Sequence, residues 1–183
     1  MNQPATGTIL IAEPFLKDPN FMRSVVLICE HQEEGSLGFV LNRHHQCTLD
    51  EVLPDMEGFR IPVFYGGPVQ MDTLHFLHTY PQDIPGSFEI TDGIFWGGDI
   101  NVAMDLLKAK AADPKNFRFF IGYSGWSGGQ LNEELKENSW ILGQASKRLV
   151  FNPETSAIWK DALKGLGGDY ELMVNFPIDP SLN

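Results

Sequence analysis

Histidine is absent from the whole second half of the chain: His31, His44, His45, His75 and His78 are all five of them in 183 residues. Any histidine-dependent chemistry must therefore draw on the N-terminal half. Cysteine is equally scarce. Cys29 and Cys47 cannot frame a fold of this size, and neither sits in a C-x-x-C pair, so free thiols in a reducing compartment are expected. Positive charge is the third shortage, with 13 Lys and Arg against 24 Asp and Glu, a net charge of −11. That balance speaks against direct nucleic-acid binding and against an anionic membrane. No apolar run approaches the roughly 18 residues of a membrane helix. Ile9 to Ala12 is too short for a secretory signal, and the expected location is the cytoplasm.

What is present is core-forming material. Hydrophobic residues make up 43% of the chain, with 13 Phe, 4 Trp and 4 Tyr, which excludes a disordered or fibrous class. With no composition shift to mark a linker and no internal repeat, one domain over residues 1–183 is expected. The acidity is uneven: residues 1–91 hold 4 basic and 12 acidic residues, and residues 92–183 hold 9 and 12.

Strand signals dominate the first half. Gly7 to Ala12, Ser24 to Cys29 and Leu37 to Asn42 are apolar runs, the last two joined by a polar loop longer than two residues over Gln32 to Ser36. Thr48 and Glu51 have capping-box spacing for a short helix ended by Pro54. Pro62 to Tyr65, Thr73 to His78 and a hairpin over Phe88 to Trp96 follow, the hairpin turning at Asp92-Gly93. The second half changes period. Asp99 opens a helix that Asp113-Pro114 stops, and Phe117 to Ile121 is a strand. Gly125 to Gly129 is a glycine loop, and Gln130 to Asn138 is a short helix. A helix starting at Asn152-Pro153 ends at Gly167. Strands followed by mixed elements define an α+β class.

Four arrangements invite a chemical reading. Gly125-Trp126-Ser127-Gly128-Gly129 is a literal G-x-S-x-G between a strand and a helix, the setting of a nucleophile elbow. That fold places its histidine after the serine, and none follows here. A Ser127 hydrolase would need an upstream histidine as base, and a glycine turn is the plainer explanation. His75 and His78 face opposite ways on a strand and cannot share a metal ion, so no metal and no cofactor are expected. Cys29 and His31 share a face of a regular strand, where a thiol and an imidazole could meet. Lys108, Lys110, Lys115 and Arg118 surround a helix C-terminus and read as a solvated face without a nucleic-acid motif.

Several segments taken in order resemble the YqgE/AlgH family of bacterial proteins. They include Gly7 to Ala12, Asp18-Pro19-Asn20-Phe21, Cys29-Glu30-His31 and Gly66-Gly67-Pro68-Val69. Arg23-Ser24-Val25-Val26, Gly35 to Asn42, Leu77-His78-Thr79, Gly122-Tyr123 through Trp126, Gly129-Gln130-Leu131 with Glu134, and Trp140 complete the set. The resemblance spans nearly the whole chain. It implies a single α+β domain with a branched, largely antiparallel sheet, including a small closed barrel, surrounded by helices. It carries a transcriptional-regulator label without agreed catalytic residues, and His44 stands where the family often has proline.

The expectation that results is a non-enzymatic binding or regulatory module for a small molecule or a protein. Its site would combine the Gly66-Gly67 turn, the strand end at His78, and Trp126 with Gln130. The alternative is the Ser127 hydrolase.

Overall fold

The structure, a computed structural model, describes residues 3–178. Strand β1 (Thr8–Ala12) and most of β2 (Val25–Gln32) are buried at every position because apolar layers cover both faces of the sheet. Ile9, Ile11, Val25 and Leu27 enter one layer, and Leu10, Val26 and Ile28 enter the other. β2 turns into β3 (Gly35–Val40) with Gln32 paired to Gly35, so Glu33 and Glu34 are the whole turn. The longer loop expected here is absorbed into the ladder. A β-bulge falls between Ile28 and Glu30.

β4 (His44–Thr48) was hidden in the sequence, since its polar run has no apolar alternation, and it pairs only with β5 (Pro62–Tyr65). Between them stand α1 (Leu49–Val52) and a 3-10 turn at Pro54–Met56. The capping box does not form: the Thr48 hydroxyl donates to the carboxylates of Asp50 and Glu51. Next come β6 (Val69–His78) and the hairpin of β7 (Phe88–Thr91) and β8 (Ile94–Trp96). α2 (Ile100–Lys108) starts as expected, with Asp99 accepting the N–H groups of Asn101 and Val102. It stops before Asp113-Pro114, because Lys110 takes a left-handed φ of 56°.

β9 (Phe117–Ser127) is twice as long as the expected strand and runs through the glycine segment. α3 (Gln130–Lys136), β10 (Trp140–Gln144) and α4 (Lys147–Val150) lead to α5 (Thr155–Leu166) and α6 (Tyr170–Met173). α5 begins two residues after Pro153, with Asn152 Oδ1 accepting the Glu154 N–H at 2.9 Å. It ends at Gly167, φ 70°.

The sheet order is β10-β1-β2-β3-β9-β6-β8-β7, with β5 branching off β9 in parallel. The branch point is visible in β9. On one side it pairs β5 over Phe119 to Ile121, then β3 over Ser124 to Ser127, while β6 holds the other side. Gly122, φ 70°, separates the two halves. The curl brings Gly7 against Ile90 and Thr91, giving a half-barrel. α5 covers the inner layer with Ile158, Trp159, Ala162 and Leu163, and the Trp159 indole donates to the Ala12 carbonyl at 2.9 Å. Each large apolar side chain so buried contributes about 1.5–3 kcal/mol. Leu131 of α3 packs on the opposite layer, and α2 covers a third cluster around Phe76, Phe117 and Phe119. Among the described residues no helix is long and apolar enough to cross a membrane.

Candidate functional site

The tip of the β2–β3 hairpin stands between two concavities at the C-terminal end of β9. One, of about 450 Å³, lies over Glu30, Leu37, Val69, Tyr123 and Gly125. The other, of about 360 Å³, holds His31, Ser127, Gly129, Leu131 and Asn132. Gln32, Gly35 and Ser36 line both.

The wall between α3 and β9 is set by one carboxylate. Glu134 Oε2 accepts the indole N–H groups of Trp126 at 2.9 Å and Trp140 at 2.8 Å. Its Oε1 accepts the side-chain amide of Gln130 at 3.0 Å. The Gln130 carbonyl in turn accepts the Ser127 backbone N–H at 3.1 Å and its hydroxyl at 3.2 Å. Helical spacing places Gln130 and Glu134 on one face of α3. Both indoles are nearly buried, and Phe21 packs on each of them at centroid distances of 5.9 and 5.5 Å. Trp126 is therefore part of the wall and does not offer an open stacking face.

Gly66 and Gly67 belong to the frame of the same region. Gly66 fills the fork between β3 and β5: its N–H donates to Ile121, and its carbonyl accepts from Val40 N–H and the Ser124 hydroxyl. A Cβ on Gly67 would lie 2.2 Å from the Tyr123 carbonyl carbon, so only glycine lets the turn rest on β9.

His78 lies elsewhere. It pairs with Phe117, nine residues along β9 from Trp126, about 30 Å at strand rise. Its side chain is fully buried and satisfied: Nδ1 accepts the Tyr80 N–H at 3.0 Å, and Nε2 donates to the Gly97 carbonyl at 2.8 Å. Burial holds its pKa below the usual imidazole range, with the Gly97 hydrogen bond opposing. Of the five expected site residues only Trp126 lines a concavity, and Gln130 bonds Ser127 beside it. Gly66 and Gly67 rest on the middle of β9 at Ile121 to Ser124, and His78 stands at the far end because β6 runs antiparallel to β9.

The chemistry-bearing pairs also rearrange. Ser127 is exposed at the end of a strand, with no hydrogen bond to any histidine among the described residues. His31 Nδ1 instead meets Ser36 Oγ at 2.6 Å across the hairpin, a pairing that the two-residue turn creates and the expected longer loop concealed. The bulge after Ile28 breaks the face-sharing expected for Cys29 and His31. Cys29 enters the inner core, and burial raises its thiol pKa. His75 packs against Phe39 and Tyr123 while His78 packs against Phe76 and Phe117. Among the described residues no three His, Cys, Asp or Glu side chains form a metal cluster. Arg118 leaves the surface cluster altogether, being 2% exposed.

Charge at the clefts is of one sign. Glu30, Glu33 and Glu34 are exposed and Glu30 accepts from Gln32, while no Lys or Arg lines either concavity. The one ion pair among the described residues, Lys136–Glu133, is on α3.

The fold defines the class first: an α+β protein on a branched, curled and largely antiparallel sheet with helices packed on it. Two solved structures share it. A crystal structure of a protein from Corynebacterium diphtheriae superposes with a TM-score of 0.77 at 22% identity, covering 96% of this chain and 94% of that one. The solution structure of the AlgH protein from Pseudomonas aeruginosa gives a TM-score of 0.72 at 29% identity, covering 97% and 98%. A UPF0301 protein of Chlorobium phaeobacteroides is 43% identical over 178 residues, 97% of this chain and 95% of the relative. One from Bacteroides thetaiotaomicron is 41% identical over 182 residues, 98% and 92%. A family model described as AlgH-like matches residues 9–171. The chain belongs to the AlgH-like family.

Proposed function

We propose that residues 1–183 act as one non-enzymatic binding domain whose clefts beside the β2–β3 hairpin receive a basic segment of a partner protein. The observation that carries the reading is the Glu134 array. It locks the shape of the wall through four hydrogen-bonded groups and occupies the Ser127 hydroxyl that a nucleophile would need free. Glu30, Glu33 and Glu34 supply the electrostatic preference. The two concavities flank the hairpin tip and share Gln32, Gly35 and Ser36 as lining, an arrangement that suits a segment of chain laid across the tip. Trp126 lines this site, Gln130 braces it through Ser127, Gly66 and Gly67 seat the turn before Val69 on β9, and His78 stands outside it. A regulatory role then acts by protein contact in the cytoplasm, without direct DNA contact.

Binding of a fluorescent lysine-rich peptide tests the reading. The double reversal Glu33→Lys with Glu34→Lys is expected to weaken it about tenfold or more, a loss of about 1.4 kcal/mol. A double reversal of equal charge at Asp50 and Glu51 is expected to do much less. Equal losses from both would reduce the effect to net charge and overturn the site. Turnover of p-nitrophenyl acetate that Ser127→Ala abolishes would replace the reading with the hydrolase.

A further inference from the structure

The opposite end of β9 holds a buried cation, Arg118, with no carboxylate partner among the described residues. The Arg118 guanidinium stacks 3.6 Å over the Phe64 ring. It donates to the carbonyls of Asn152, at 2.6 Å, and Leu41. Its Nε is buried without a hydrogen-bond partner among the described residues. Two carbonyls thus engage two of the five N–H donors of the group. Removing a cation from water costs several kcal/mol unless an opposite charge or full hydrogen bonding offsets it. The ring and the carbonyl dipoles return only part of that. Burial lowers the Arg118 pKa to about 9, which still leaves the group charged at neutral pH.

Arg118 lines a cavity of about 270 Å³ whose other walls are almost entirely apolar, including Pro62, Phe64, Phe117 and Phe151. Lys115, exposed on the 3-10 turn Pro114–Asn116, is the second cation lining it, and among the described residues no Asp or Glu does so. In a chain of net charge −11, this pairing of two cations with no acid is the reverse of the hairpin clefts.

We propose that this cavity binds a small organic monocarboxylate with an apolar body. The carboxylate is held between Arg118 and Lys115, and the aliphatic or aryl part lies on Pro62, Phe117 and Phe151. The volume falls just below the roughly 300–1,000 Å³ of drug-sized pockets, which suits a short-chain acid and excludes a nucleotide. Apolar walls disfavour a heavily hydrated dianion such as phosphate. The site is independent of the hairpin clefts, and each stands or falls alone.

The experiment is a heteronuclear NMR titration of the full chain with octanoate, octanol and octylamine in parallel. Octanoate is expected to shift the Lys115, Phe117 and Phe151 resonances saturably, with octanol and octylamine much weaker at the same concentrations. Lys115→Glu is expected to weaken octanoate about tenfold. Pro62→Trp, at an exposed position, is expected to close the mouth and remove binding while the spectrum elsewhere stays native. Equal shifts with octanol would reduce the site to an apolar cleft and overturn the proposal. Octanoate shifts that map elsewhere, or that survive Pro62→Trp unchanged, would do the same.

Discussion

Glu134 shows how much one half-exposed side chain can organise. It accepts the indole N–H groups of two nearly buried tryptophans and the amide of Gln130. Each buried donor left unpaired costs about 1–3 kcal/mol. Glu134→Ala is therefore expected to destabilise the protein by about 2–4 kcal/mol in urea denaturation, with a loosened Trp126 environment in near-ultraviolet circular dichroism. Glu134→Gln keeps an oxygen for the indoles and loses the charge, and about 1 kcal/mol is expected. None of this was readable from composition, although the helical spacing of Gln130 and Glu134 after Trp126 was a usable signal. The His31–Ser36 pair was unreadable for a different reason. It depends on a hairpin register that a turn of two glutamates does not announce, since such turns normally use Asn or Gly.

Among elements, the boundaries best read from sequence were those with a chemical stop: the Asp92-Gly93 turn, the Asp99 cap and Gly167 all stand where expected. β4 was missed because it is polar with only β5 beside it, and β10 because Trp140-Ile141-Leu142 is an apolar run of only three residues before Gly143. The extension of β9 past Ile121 was missed because glycines were read as a loop, whereas here they let other backbone approach the strand. Gly67 and Gly129 separate these two roles. A Cβ at Gly67 meets the backbone of Tyr123 and Ser124, which cannot step aside, while one at Gly129 meets nothing within 4 Å. Gly67→Ala is expected to cost about 3 kcal/mol or more through overpacking. Gly129→Ala should cost about 1 kcal/mol, from its left-handed φ of 81° alone. Thermal unfolding of the two variants side by side checks the contrast.

Taken whole, the α+β class and the apolar strands were legible because period and burial agree over most of the chain. The clustering of the site was less so, since it depends on which way β6 runs. Stability of the whole molecule should depend on pH through His78 and His75, whose pKa values burial holds low in the fold. The unfolded chain then binds the proton more readily, so their contribution is complete above the unfolded pKa of about 6.5 and is lost as pH falls below it. Protonating His78 also puts a second N–H against the Tyr80 N–H. Melting temperature is expected to fall from pH 7.5 to 5.5, and His78→Gln, which keeps an acceptor for Tyr80, should flatten the curve. The pairing of β1 with β10, Thr8 against Gln144, and of β3 with β9 has a further consequence during synthesis. Residues 41–116 separate β3 from β9, a stretch the ribosome makes in roughly 4–15 s. Throughout that interval β1 and β3 can pair only with β2 between them, the partner for the other edge of each does not yet exist, and the earliest strand waits longest. A chain stalled before residue 117 is expected to leave the apolar edges of β1 and β3 unpaired, while one released with β10 complete can close both.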